Sequence, residues 1–293
     1  MEPPKPSCES PVRALYRQEF ERQKRDFEAS GDGMRCAAER SAAVDRLSLT
    51  LWDTALPREL RTGVALVAVG GYGREQLFPY SDIDLLFLTR DDETREAIKE
   101  PVRAICQEMW DAGLRVSPAT RTTLECSRFE QDNVEFTLSL LDCRFLAGDT
   151  QLFTQLKSRK LPELIARESD SLLQALANAT ASRHQRFGNT IFHLEPNLKD
   201  GPGGLRDCHV SQWIEKILGS DVTPPSKSLA AALEFLSSAR CYLHYASNRD
   251  DNSHTRTHKY IYFNTTAYPA STPYHSNSKF RNAGCRIDPH RHF

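Results

Sequence analysis

GGYGREQLFPYSDIDLLFL, residues 70–88, sets a glycine turn ahead of two aspartates one residue apart. The run Val64-Ala65-Leu66-Val67-Ala68-Val69 precedes it. That run is short, apolar and β-branched and ends at glycine, as a buried strand does. Ile83 to Leu88 reads as a second buried strand. Strand side chains alternate between faces, so Asp82 and Asp84 point the same way while Ile83 enters the core. Two carboxylates on one face repel each other without a cation between them. Mg²⁺ takes oxygen ligands and is commonly shared between carboxylates and substrate phosphates. Two such ions, about 3.5–4 Å apart, can activate an attacking oxygen and stabilise a leaving pyrophosphate. Gly70 and Gly71 lead into a short expected helix, Tyr72 to Leu77, whose first N–H groups would face a triphosphate. Arg74 could add a charge-assisted bond and Ser81 a hydroxyl donor. A glycine pair alone is weak, and D-x-D is common on exposed strands. The weight comes from the order strand, glycine pair, helix, strand.

Working outward, residues 11–29 and 35–55 read as helices. Leu15, Phe20 and Phe27 recur loosely in the first, and Ala43, Leu47, Leu51 and Leu56 in the second. Glu93 to Ala112 reads as one amphipathic helix, and Gly113 to Val116 as the start of a third strand. Helices are expected over 133–147, 149–158, 162–187, 205–218 and 226–247. Trp52, Trp110 and Trp213 fall in these helices and are expected to anchor cores. His184 and His193 are expected to be solvated. A second glycine-rich block, HLEPNLKDGPGGLRD at 193–207, interrupts the helices and allows close backbone approach.

The chain has 293 residues, 39% of them hydrophobic and 26% charged, which fits a folded domain or two rather than a disordered chain. The net charge of −1 gives no basic field for nucleic acid or an acidic membrane. The longest apolar run, Val64–Val69, is too short to span a bilayer. None of the eight cysteines forms a C-x-x-C pair, so free thiols in a reducing cytoplasm are expected rather than a zinc site. Residues 248–293 contain no Leu, Val, Met or Glu and carry a charge of +4, against −5 for the rest. Poor order is expected there, and the abrupt change suggests a frameshifted end. Metal binding by His290 and His292 would be incidental.

GGYGREQLFPYSDIDLLFL resembles the signature of the DNA polymerase β-like nucleotidyltransferase superfamily. Together with HLEPNLKDGPGGLRD it resembles in particular the bacterial PII protein uridylyltransferase/uridylyl-removing enzymes, over roughly residues 10–247. The resemblance implies transfer of UMP from UTP to a tyrosine hydroxyl of the nitrogen-signalling protein PII, with Mg²⁺ as cofactor and no nucleic-acid or membrane partner. It makes Asp82 and Asp84 catalytic metal ligands, and puts Gly70, Gly71, Arg74 and Ser81 around the nucleotide. Lys199 and Arg206 become phosphate or protein-substrate contacts, with Gly203 and Gly204 letting the loop pack close. Asp207 is open between a functional role and a helix-start charge or a salt bridge to Arg206. A third carboxylate is implied but not placed; Asp142, Asp111 and Glu135 compete for it.

The expected fold is α+β. N-terminal helices occupy 1–60, a nucleotidyltransferase core with a small mixed sheet and flanking helices 61–148, a helical domain 149–247 and a low-order tail 248–293. No adjacent His-Asp pair and no ACT-like pattern follow, so a truncated form lacking HD and ACT domains is expected, with helix 226–247 packing on missing residues. Two other readings stay open: a nucleotidyltransferase with another acceptor, and an inactive fragment that binds nucleotide or a partner.

Overall fold

The computed structural model describes residues 11–220 and 224–253. Helices α1 (Pro11–Ser30) and α2 (Gly33–Ala55) pack on each other. Asp32 caps α2 by accepting from the Arg35 N–H at 2.9 Å. The next elements are β1 (Val64–Ala68), the single turn α3 (Gly70–Gly73) and β2 (Ile83–Thr89). Helices α4 (Asp92–Ala97) and α5 (Lys99–Asp111) lead to β3 (Val116–Thr122). Then come α6 (Thr123–Cys126), α7 (Val134–Leu140) and β4 (Arg144–Gly148). A π-helical turn, Leu156–Lys160, joins α8 (Thr150–Gln155) to α9 (Leu161–Arg186). Helices α10 (Leu205–Ile217) and α11 (Lys227–Ser247) complete the described elements.

The four strands form one mixed sheet in the order β3-β2-β1-β4. β1 is antiparallel to β2 and β4, and β2 is parallel to β3. Every β1 residue is buried because helices cover both faces. Val64, Leu66 and Ala68 join Ile83, Leu85 and Phe87 in a core with α2 and α5. Ala65 and Val67 join Leu86 and Leu88 in a second core with α8 and the start of α9. Asp84 shares the parity of Leu86 and Leu88, so the sheet's alternation assigns it to the second face.

Several expectations need correction. Residues 133–147 are not one helix: α7 stops at Leu140 and the chain returns as β4, the edge strand beside β1. The helix over 93–112 breaks at Ile98, a buried residue that ends α4 and starts α5. The short helix after the glycine pair begins at Gly70 and ends at Gly73. Leu15 is 67% exposed, outside the core that holds Phe27. Trp52 and Trp213 are buried, whereas Trp110 is 46% exposed and donates its indole N–H to Val116 O at 3.3 Å.

Helix α11 packs on α2. A Cβ on Gly33 would lie 2.3 Å from Ser238 N, so only glycine admits α11 at this distance, and Ser238 Oγ accepts from the Gly33 N–H at 3.0 Å. Residues 248–253 fold back onto the loop at 197–198. Leu198 N donates to Asn252 O at 2.8 Å, and Ser253 forms a bridge to Asn197. The rest of the tail, including His290 and His292, lies outside the described residues. No described helix is long and apolar enough to cross a membrane. The six described cysteines are free.

Candidate active site

The chain leaves β1 and turns at Gly70, whose φ of +57° favours glycine. A Cβ there would stand 3.1 Å from Asp84 Oδ2. The glycine backbone and the Asp84 carboxylate therefore meet, and Val69 N holds Asp84 O at 3.1 Å. A Cβ on Gly71 would find nothing closer than 3.6 Å. Gly73 has no such room: its Cβ would sit 2.0 Å from Asp142 O and 2.9 Å from Ala68 O. Both are backbone atoms that cannot swing away. Gly73→Ala is therefore expected to destabilise by about 3 kcal/mol or more, the upper end of overpacking costs. A urea melt checks this; an unchanged midpoint would refute the close packing.

The two aspartates have different surroundings. The Asp84 carboxyl is pushed up to about 6, first by burial and then by the charge of Asp82, while Lys199, Arg74 and Arg206 pull it down. Asp82 precedes the strand, is half exposed and takes Arg115 Nε at 2.8 Å. Asp84 is the only acidic residue in the four strands, and the β3 residue beside it is Ser117. The neighbouring strand thus supplies no third carboxylate. Among the described residues no group of three or more His, Cys, Asp or Glu could hold a metal ion. The pair Asp82–Asp84 still fits Mg²⁺ by donor chemistry: oxygen ligands, one of them buried against a like charge, with the remaining positions open to water and phosphate.

The three candidates for a further carboxylate have other duties. Asp142 sits in the turn between α7 and β4, with its side chain 1% exposed. It binds the Arg74 guanidinium, the Trp213 indole N–H at 2.8 Å and Lys216 Nζ at 2.6 Å. Asp111 pairs with Arg13 at 2.6 Å, and Glu135 is exposed on α7.

Arg74 is mostly shielded from solvent, and this burial holds its guanidinium below the usual arginine range. Besides Asp142 it donates to Gln76 Oε1 at 3.3 Å and stacks over Trp213 at 5.8 Å. Its remaining nitrogen lies 3.4 Å from His209 Nδ1. That assigns the His209 proton to Nε2, which then donates to Gln76 Oε1 at 3.1 Å. Burial first, then Arg74, Arg206, Arg240 and Lys199, hold His209 well below the usual imidazole range. It is a neutral side chain within a cationic cluster.

The second block is an ordered loop. Asn197 Oδ1 accepts from the N–H groups of Lys199 (3.1 Å) and Asp200 (2.7 Å). Gly204 has no space for a Cβ, with Leu198 O at 2.8 Å, and Gly203 turns at a φ of +77°. The Gly203 N–H donates to Asp207 Oδ2 at 2.7 Å. Both glycines thus shape the loop itself. Lys199 is lowered by burial and then by Arg240, and Arg206 Nε reaches Asp200 at 3.4 Å. The Asp207 partner is not Arg206. Its carboxylate binds the Arg183 guanidinium and His184 Nε2, the latter at 2.9 Å. His193 is likewise engaged, its Nε2 donating to Phe187 O at 2.7 Å.

One residue at this site had no signal in the sequence. Arg240, in the middle of α11, is 5% exposed and stacks over Phe78 at 4.2 Å. It donates to Ser81 Oγ at 3.2 Å, Asn252 Oδ1 at 2.6 Å and Asp250 Oδ1 at 3.3 Å. Ser81 is therefore held by a residue 159 positions away. Burial raises Asp250, but bonds from His244 and the charge of Arg240 outweigh it and leave its carboxyl well below the usual range.

Residues 54–163 match the nucleotidyltransferase domain family, and residues 171–258 match the GlnD PII-uridylyltransferase family. A small mixed sheet with a glycine turn against an aspartate pair, together with the first match, marks a nucleotidyltransferase domain. The chain is 34% identical over 248 residues to the bifunctional uridylyltransferase/uridylyl-removing enzyme of Azospirillum brasilense, covering 78% of this chain and 26% of that protein. The namesake from Rhodospirillum rubrum is 33% identical over 247 residues, with the same coverage. That from Nitrosococcus oceani is 42% identical over 153 residues, 52% of this chain and 17% of the relative. The chain belongs to the PII-uridylyltransferase family and spans about a quarter of the length of its first relatives.

Proposed function

We propose that this chain transfers UMP from UTP to a tyrosine hydroxyl of the PII signalling protein, releasing pyrophosphate. One observation carries the reading: Asp84 lies against the Gly70 backbone and within the electrostatic reach of Lys199, Arg74 and Arg206. Both sequence blocks thus converge on one carboxylate. An anionic polyphosphate suits this place, because Lys199 and Arg206 bring positive charge to the aspartate pair, while Arg74 is bonded to Asp142. Asp82 and Asp84 would hold divalent cations, which would supply electrostatic stabilisation of the charge developing on the departing pyrophosphate. The Gly70 and Gly71 backbone would cradle the phosphates, and Lys199 and Arg206 would neutralise them. Arg74 acts at one remove, fixing Gln76 and His209 behind the cradle. The tyrosine oxygen bonds to the α-phosphorus as the bond to the β-phosphate oxygen breaks, and the hydroxyl proton is released.

Purified PII incubated with the chain, Mg²⁺ and UTP labelled at the α-phosphate tests this. Label is expected on PII and is expected to vanish with Asp82→Asn. Labelling of another protein but not PII would shift the reading to a different acceptor. UTP binding without transfer would leave only a nucleotide-binding fragment.

A further inference from the structure

A cavity opens beside Ser81 and Asp250, both of which line it. It holds about 420 Å³ between α1, α2, the turn before β3 and residues 248–250. That volume falls within the range of small-molecule sites. Five arginines line it, Arg13, Arg17, Arg40, Arg115 and Arg249, against two aspartates, Asp111 and Asp250. The lining arginines outnumber the lining aspartates, with Arg13 paired to Asp111, Arg115 to Asp82 and Asp250, and Arg249 to Asp251.

Arg40 gives the second observation. It is 4% exposed, and its Nε is buried with no hydrogen-bond partner among the described residues. A buried unpaired guanidinium N–H is costly to maintain unless something accepts from it. The rest of the wall is aromatic. Tyr16, Phe20 and Tyr80 border the cavity, with the Phe20 and Tyr80 rings edge to face at 5.5 Å and Arg40 stacked on Phe20 at 5.1 Å. Guanidinium groups next to ring faces suit a ligand with an oxyanion at one end and a flat ring at the other.

We infer that this cavity binds a nucleoside monophosphate or a molecule of that build, one phosphate joined to a flat ring, at a site separate from the triphosphate cradle. Arg115 is the wall shared by the two: it lines the cavity, binds Asp82 through Nε at 2.8 Å and reaches Asp250 at 3.3 Å.

Calorimetric titration of the whole chain with AMP tests the inference, with adenosine and inorganic phosphate as the two halves of the probe. AMP is expected to bind saturably, and each half at least about tenfold more weakly, as expected when two contacts each contribute above 1.4 kcal/mol. Ala112→Glu puts a carboxylate on the cavity wall, and Arg249→Glu reverses a charge on an exposed residue paired with Asp251 at 2.9 Å. Each is expected to weaken AMP by about tenfold or more. Excess UTP with Mg²⁺ and the variant Asp84→Asn are expected to leave AMP binding unchanged. Displacement of AMP by UTP, no binding to the unmodified chain, or indifference to both charge variants would each overturn the inference. None of these outcomes depends on uridylyl transfer, so the two proposals fail separately.

Discussion

Asp84→Asn is expected to abolish nucleotidyl transfer, by about three orders of magnitude or more, while leaving the metal-free fold at least as stable at neutral pH. The first half follows from charge: a neutral amide cannot hold a divalent cation against a polyphosphate, and groups that stabilise transition-state charge contribute several kcal/mol each. The second half follows from linkage. The Asp84 carboxyl stands at about 6 in the fold against 3.8 in the unfolded chain, raised first by burial and then by Asp82. Between those two values the folded state holds more protons than the unfolded one, so stability falls as pH rises through that window. The ionised carboxylate then costs about 3 kcal/mol above pH 6, an order-of-magnitude figure. Asparagine removes that cost. Urea melts without metal at pH 5 and pH 7.5 check the sign: the native chain should lose stability between them, and the variant should lose less. A variant clearly less stable than the native chain at pH 7.5 would show that the carboxylate is a structural anchor. Adding Mg²⁺ to the native chain should shift the Asp84 titration downward, because a bound cation favours the ionised form.

The fold was legible where apolar runs were bounded by glycine. β1 and β2 are buried on both faces, and such strands announce themselves by unbroken Val, Leu, Ile and Phe. β4 was hidden. LSLLDCRFL keeps apolar residues at spacings that fit a helix, and β4 is an edge strand whose residues are only partly buried, so no alternation marks it. The pairing of Asp82 with Asp84 follows from alternation, but their inequality does not. It depends on Arg115 and on burial, both of which arise from distant packing. Arg240 was illegible for the same reason. Nothing on α11 distinguishes it from a solvated arginine until Phe78, Ser81 and Asp250 close around it. Asp207 pointed to the wrong arginine because its neighbour Arg206 was visible in the sequence, whereas Arg183 comes from α9.

Asp142→Ala is expected to destabilise the chain by about 3–5 kcal/mol, the usual result of removing one partner from a buried ion pair. The Asp142 side chain is 1% exposed, and three donors converge on it: Arg74, Lys216 and the Trp213 indole. Its loss strands the Arg74 guanidinium, itself 13% exposed, with no other anion bonded to it among the described residues. Lys216 is 33% exposed and can turn to water, so most of the penalty falls on Arg74 and Trp213. The damage then spreads along the chain of contacts: Arg74 positions Gln76 and His209, and Asp142 O touches the place where a Gly73 side chain would be. Asp142→Asn separates this role from metal ligation, because an amide of the same shape keeps one acceptor but removes the charge. As the anchor of the glycine turn, Asp142 should lose stability in both variants, with the smaller loss in asparagine, and transfer should fall in step with the folded fraction. A chain that keeps its melting midpoint in Asp142→Asn yet loses all transfer would instead make Asp142 a direct ligand, contrary to the bonds that hold it away.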